Sequence, residues 1–192
     1  MKTYIPIFLL FILVFSGHAQ TGMETREVSI LPNSSLSISG STNINTFDCD
    51  FNTRGFKNEG FEVHYTGNDN ILYFKNSVLP LENKNFDCGN RKINKDFHKL
   101  LKTEEYPEIL LKIKKIDLSR GEDATVTLSF TIAAIENDYR FPIEISWENQ
   151  LRFKGKLQLN IKDFNLEAPS KIFGLIVLEE EIEINFNLNI QT

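Results

Sequence analysis

The stretch Ala124-Thr125-Val126-Thr127-Leu128-Ser129-Phe130-Thr131-Ile132-Ala133 decides the fold. Its larger apolar side chains, together with Ala124, occupy every second position, and Thr or Ser fills most of the others. Successive side chains of a strand point to opposite faces, so this pattern reads as a strand with one dry and one wet face. The following segments repeat it. Tyr139, Phe141, Ile143, Ile145 and Trp147 share one phase, against Arg140, Pro142, Glu144, Ser146 and Glu148. Leu151, Phe153, Leu157, Leu159 and Ile161 stand opposite Arg152, Lys154, Lys156, Gln158 and Asn160. Near the C-terminus, Ile182, Ile184, Phe186, Leu188 and Ile190 alternate with acids and asparagines.

Short connections make neighbouring strands antiparallel, and Arg120-Gly121-Glu122-Asp123 and Glu136-Asn137-Asp138 are expected as turns. Less regular strands are expected at Glu24 to Ile30, Ser35 to Ser41, Gly60 to Thr66, Ile71 to Val78 and Glu108 to Leu118. In the last of these the apolar phase slips by one residue between Ile113 and Ile116, which predicts a bulge. Between Cys88 and Pro107 the period changes. Ile93, Phe97, Leu100 and Leu101 fall at i, i+4, i+7 and i+8, one face of a helix that Asn90 can cap. The cluster Ile172 to Leu178 is open between strand and short helix. Nine-residue strands reach about 30 Å, and long single-faced strands joined by hairpins are best served by closure, which removes their edges. The fold class is therefore all-β with one or two short helices, an antiparallel barrel with the helix over one end or its wall; a two-sheet sandwich is the rival.

The chain has 192 residues, 41% hydrophobic and 24% charged, with a net charge of −5. This is a globular composition, and the acidic balance argues against binding nucleic acid through a basic surface. Residues 1–19 read as a secretory signal peptide: Lys2, an apolar run from Tyr4 to Phe15, then Gly17 and Ala19 before cleavage. The apolar run would rise about 18 Å as a helix, short of a hydrocarbon core of about 30 Å, so no membrane span is expected. Residues 20–192 read as one domain, exported to the periplasm or secreted. In that setting Cys49 and Cys88, the only two cysteines, are expected to be joined.

The inward phases of the four long strands carry no Asp, Glu, Lys, Arg or His, so they supply no buried acid or base for catalysis. No nucleophile elbow, phosphate loop or zinc-binding His-Glu-x-x-His is present. His64 and His98 read as unrelated surface residues and Glu179-Glu180-Glu181 as a solvated face. No enzyme activity, cofactor or metal is expected. The expected ligand-contacting residues are Leu128, Phe130, Phe141, Ile143, Ile145, Trp147 and Leu157 on the strands, with Phe97 and Leu101 on the helix.

Gly40-Ser41-Thr42-Asn43-Ile44-Asn45-Thr46-Phe47-Asp48-Cys49 resembles the opening motif of the YceI-like family, in the two-cysteine form common among exported bacterial members. Phe86 to Ile93, Leu100-Leu101 and Tyr106-Pro107-Glu108-Ile109 are similar to that family's helix and the strand after it. Leu128 to Ile135 and Phe186 to Leu188 are similar to later strands. Where the family often has Gly, Val-Thr and a basic residue, this chain has Ala134-Ile135-Glu136-Asn137. The resemblance implies a lipocalin-like barrel that holds a polyisoprenoid or similar amphiphile. The expected function is non-catalytic lipid binding; the alternative is a periplasmic structural or protein-interaction module whose barrel is filled by its own side chains. The partner expected is an apolar or isoprenoid lipid, and a homodimer is the protein contact considered.

Overall fold

The computed structural model describes residues 22–56, 60–168, 170–171 and 176–192. The signal peptide reading falls outside these residues, as does most of the cluster that begins at Ile172. In chain order the elements are β1 (Glu24–Ile30), β2 (Ser35–Ser41), β3 (Thr46–Phe51), β4 (Phe61–Asn68), β5 (Ile71–Lys75), β6 (Val78–Glu82), β7 (Phe86–Asp87), α1 (Arg91–Leu100), β8 (Glu108–Asp117), β9 (Asp123–Ile132), β10 (Ile135–Trp147), β11 (Leu151–Asn160), β12 (Ser170–Lys171), β13 (Ile176–Val177) and β14 (Glu181–Gln191).

All the pairings are antiparallel, and β1, β4, β5, β8, β9, β10, β11 and β14 follow one another around a ring that β1 and β14 close. The barrel, not the sandwich, is the fold. β14 is shared along its length: Ile190 and Gln191 pair with β1, while Glu183 to Asn187 pair with β2. From β2 the wall continues through β3 to β7, so this end has a second rim that the ring alone would lack. On the other side β5 and β6 lie in succession on β8, interrupted at Asn76 and Ser77, where Asn76 has φ 56°. The phase slip expected in β8 is a register shift between Ile113 and Lys115.

One turn differs from expectation. Glu136, Asn137 and Asp138 belong to β10, and the chain reverses at Ala133 and Ala134, with φ of 47° and 66°. Two consecutive left-handed residues make the tight hairpin turn whose twist matches the flanking strands, although alanine is a costly choice there. Glu136 and Asp138 are then free to serve the outer face. Both accept hydrogen bonds from the Ser129 hydroxyl, at 2.6 and 2.8 Å, and Lys114 bonds Asp138 at 2.6 Å.

The barrel is filled at mid-height. A Cβ on Gly155 would lie 2.5 Å from the Phe186 ring, so only glycine lets that ring lie flat across β11. Phe141 meets Phe186 edge-on at 6.1 Å, and Ile143 is buried beside them. Val28, Val63 and Ile190 form a separate buried group toward one end, while most of the core lies toward the other, under α1.

Candidate functional site

Helix α1 is held at its start by an interlocked set of polar groups. The Asn90 side chain accepts from the Lys92 N–H, so the expected cap is formed. Asn94 accepts from the Cys88 N–H at 2.6 Å and donates to Asp87, which also accepts from the Gly89 N–H. The Asn94 and Gly89 donors hold the Asp87 carboxyl below its ordinary range, because they stabilise its charged form. The Cys49–Cys88 disulfide then ties this corner to β3. At the far side Asn83 is almost fully buried and donates to the Tyr106 carbonyl, fixing the chain that leaves the helix.

The apolar face of α1 covers a chamber of about 50 Å³, lined by eighteen residues that are all Leu, Ile or Phe. Leu36 and Ile38 come from β2, Phe130 and Ile132 from β9, Ile182 and Ile184 from β14, and Phe97, Leu100 and Leu101 from the helix side. Outside it, between α1 and the turn joining β2 to β3, lies a groove of about 300 Å³. Phe47, Phe97, Leu100 and Leu178 line both, so four side chains form the partition between chamber and surface. Phe47 reaches its place because Gly40, opposite it on β2, has no side chain: a Cβ there would lie 2.5 Å from the ring.

Among the described residues, no titratable side chain lines the chamber. The inner-phase polar group Tyr139 donates to Asp163 at 2.6 Å, and burial first, then that bond and its negative charge, push the phenol above its ordinary range. Among the described residues, no group of three or more His, Cys, Asp or Glu could hold a metal ion.

Of the residues expected to contact a ligand, Phe97, Leu101 and Phe130 line the chamber. Phe141, Ile143 and Leu157 are buried, and Leu128 and Ile145 partly buried, but these five pack in the body of the barrel away from it. Trp147 does not face inward as its phase suggested; it is 67% exposed. Strand β9 begins at Asp123, opposite Glu144, so β10 runs three residues past it and Trp147 has no neighbouring strand on that side. The sequence reading missed the lining from β2, β6, β8 and β14, such as Leu36, Leu81, Ile109 and Ile184. Their alternation marks them as inward, but nothing local says which end of the barrel the helix covers.

A closed antiparallel barrel with a wholly apolar chamber beneath a tethered helix defines a lipocalin-like architecture. A family model for the YceI-like domain matches residues 76–190, and the chain belongs to that family. Among solved structures it is similar to BcnA of Burkholderia cenocepacia, with a TM-score of 0.61, 16% identity and coverage of 83% of this chain and 96% of that one. It is also similar to a polyisoprenoid binding domain from Saccharophagus degradans implicated in plant cell wall breakdown, at a TM-score of 0.61, 12% identity and coverage of 86% and 98%. A mutant YceI protein of Campylobacter jejuni matches at a TM-score of 0.50 and 15% identity, over 98% of this chain and 97% of that one. At these identities the likeness is one of fold. No curated protein sequence matches the chain.

Proposed function

We propose that the protein binds a long apolar or amphiphilic lipid, of isoprenoid type, without catalysis, and takes its tail into the chamber under α1. The observation that carries this is the chamber's lining: among the described residues it is eighteen apolar side chains and no polar one. Transfer of each CH₂ from water contributes about 0.8 kcal/mol, so such a wall selects for chain length and not for charge. The polyisoprenoid binding domain from Saccharophagus degradans, which shares the fold, supports the choice of ligand. The disulfide and the leader-like N-terminus support export to the periplasm or beyond it.

A chamber of about 50 Å³ is too small for such a tail, since an apolar cavity of about 150 Å³ is what holds one benzene. Uptake therefore requires the partition of Phe47, Phe97, Leu100 and Leu178 to swing aside and join chamber to groove. The same small volume, with Phe186 lying across Gly155, favours a second reading in which the barrel is a filled interaction module. Titration with a fluorescent polyprenyl probe, paired with native mass spectrometry of protein purified without detergent, decides between them. Saturable binding of one lipid per chain is expected for the carrier. An apo mass together with no saturable uptake overturns it in favour of the filled module.

A further inference from the structure

The helix that covers the chamber carries charge opposite to that of the chain. The net charge is −5, yet Arg91, Lys92, Lys95, Lys99 and Lys102 are all exposed on α1 and the turn that ends it. Asp96 is the only carboxylate between residues 91 and 102, and Glu104 and Glu105 follow in the next turn. Arg91, Lys95 and Lys99 fall at i, i+4 and i+8, a stripe away from the buried Phe97 and Leu101. Among the described residues, the side chains that form the cationic half of an ion pair are Arg26, His64, Lys84, Lys114, Lys115, Lys154, Lys156 and Lys162, none of them on α1.

Beside Lys92 the structure holds apolar side chains out into water. Ile44 is 68% exposed and Val177 43%. The turn that carries Ile44 is braced: the Thr42 hydroxyl accepts from the Ile44 and Asn45 N–H groups, and the Val177 N–H donates to the Asn43 side chain. Ile44, Lys92 and the carboxylate of Asp96 line the same groove outside the chamber partition. Cations next to apolar side chains on one ordered rim match what a bilayer presents, anionic headgroups above acyl chains.

We propose that the helix-covered end of the barrel docks on an anionic lipid bilayer, with the cations of α1 on the headgroups, Ile44 and Val177 at the acyl boundary and the groove against the membrane. A soluble polyanion would satisfy the cations and leave Ile44 and Val177 in water; an apolar protein surface would satisfy those two and gain nothing from five cations. The chain's overall negative charge makes the contact directional, since the rest of the surface is repelled. Docking is independent of lipid uptake, because it is measured on vesicles without isoprenoid, so either reading can fail alone.

The test is co-sedimentation of the whole protein with phosphatidylglycerol-rich and with pure phosphatidylcholine vesicles, at low and raised salt. Binding is expected to the anionic vesicles and to weaken with salt. Each cation removed should cost about fivefold in affinity, so the triple variant K92Q/K95Q/K99Q should bind about a hundredfold more weakly. Its thermal melt should match the unaltered protein, since all three side chains are exposed. Ile44→Ser should weaken vesicle binding and leave binding to heparin unchanged. The proposal is overturned by absence of binding to anionic vesicles, by equal binding to neutral ones, by a triple variant that binds as the original does, or by an Ile44→Ser variant that binds vesicles undiminished.

Discussion

Replacing Phe97 by Ala tests the packing of α1 and the chamber partition together. Phe97 is 8% exposed, its ring centre lies 5.3 Å from that of Phe86, and it lines both the chamber and the groove. Losing a buried aromatic ring removes about 1.5–3 kcal/mol of transfer free energy, and with the void left behind Phe→Ala changes cost about 3–5 kcal/mol. Here the vacated space opens to the groove and does not remain a sealed void, so the cost should sit near the low end, about 3 kcal/mol. For a chain of this size that lowers the melting temperature by about 6–12 °C. Thermal and urea melts followed by circular dichroism measure it. The same change removes one of four side chains between chamber and surface, so stopped-flow uptake of a fluorescent polyprenyl probe should be faster than in the unaltered protein. A stability loss under about 0.5 kcal/mol would refute the packing role, since that is the range of surface substitutions. An unchanged uptake rate alongside the full stability loss would refute the partition.

Ile143 is 5% exposed while Glu144, the next residue, is solvent-facing. Ile143→Glu should therefore abolish folding or binding and Glu144→Gln should leave both nearly intact, as read by melting and probe titration; equal effects would mean the strand phase is misassigned. Trp147, being exposed, should emit as a tryptophan in water, quench freely with iodide and stay unchanged on ligand uptake; a blue-shifted, protected emission would contradict its placement. Reducing Cys49–Cys88, which are 39 residues apart in sequence, should cost about 4 kcal/mol in the chain-entropy model, or about 8–16 °C in a scanning melt with and without reductant. On the outer face Lys114 and then Ser129 hold the Asp138 carboxyl below its ordinary range, and Ser129 does so first for Glu136. A depressed folded-state value stabilises above the unfolded value, about pH 4, and that contribution disappears as the pH falls through the folded one. Lys114→Met should flatten the acid limb of a stability-against-pH series measured by urea unfolding, and an unaltered limb would show that the pairing carries no stability.

Some of the candidate site is legible in the sequence itself. The helix face of Ile93, Phe97, Leu100 and Leu101 and its Asn90 cap follow from spacing, and Phe97 and Leu101 line the chamber. The bulge in β8 was legible as a phase slip, because an extra residue shifts every later side chain by one. The hairpin at Ala133 and Ala134 was not, since alanine carries no signal for left-handed backbone and the polar residues after it look more like a turn. Strand β3 went unread as a strand because Thr46 to Phe51 alternates too briefly to show a period.

What the sequence alone determined is therefore everything that depends on neighbours within a few residues: strand phase, the apolar inner face, the amphipathic helix and the cysteine pair. Tertiary structure decided where along the barrel those faces meet. Side-chain period two assigns each residue to inside or outside but says nothing of its height on the axis. Height is set by register between strands far apart in the chain, such as Ile38 against Ile184 and Gly155 against Phe186. That is why the expected site on β9 to β11, Trp147 apart, is inward as read, yet the chamber lies higher, under α1, where β2, β8 and β14 contribute to its lining. The fate of Trp147 has the same cause: its phase is a local property, whereas its exposure depends on β9 beginning only at Asp123, opposite Glu144, a length mismatch that only pairing reveals.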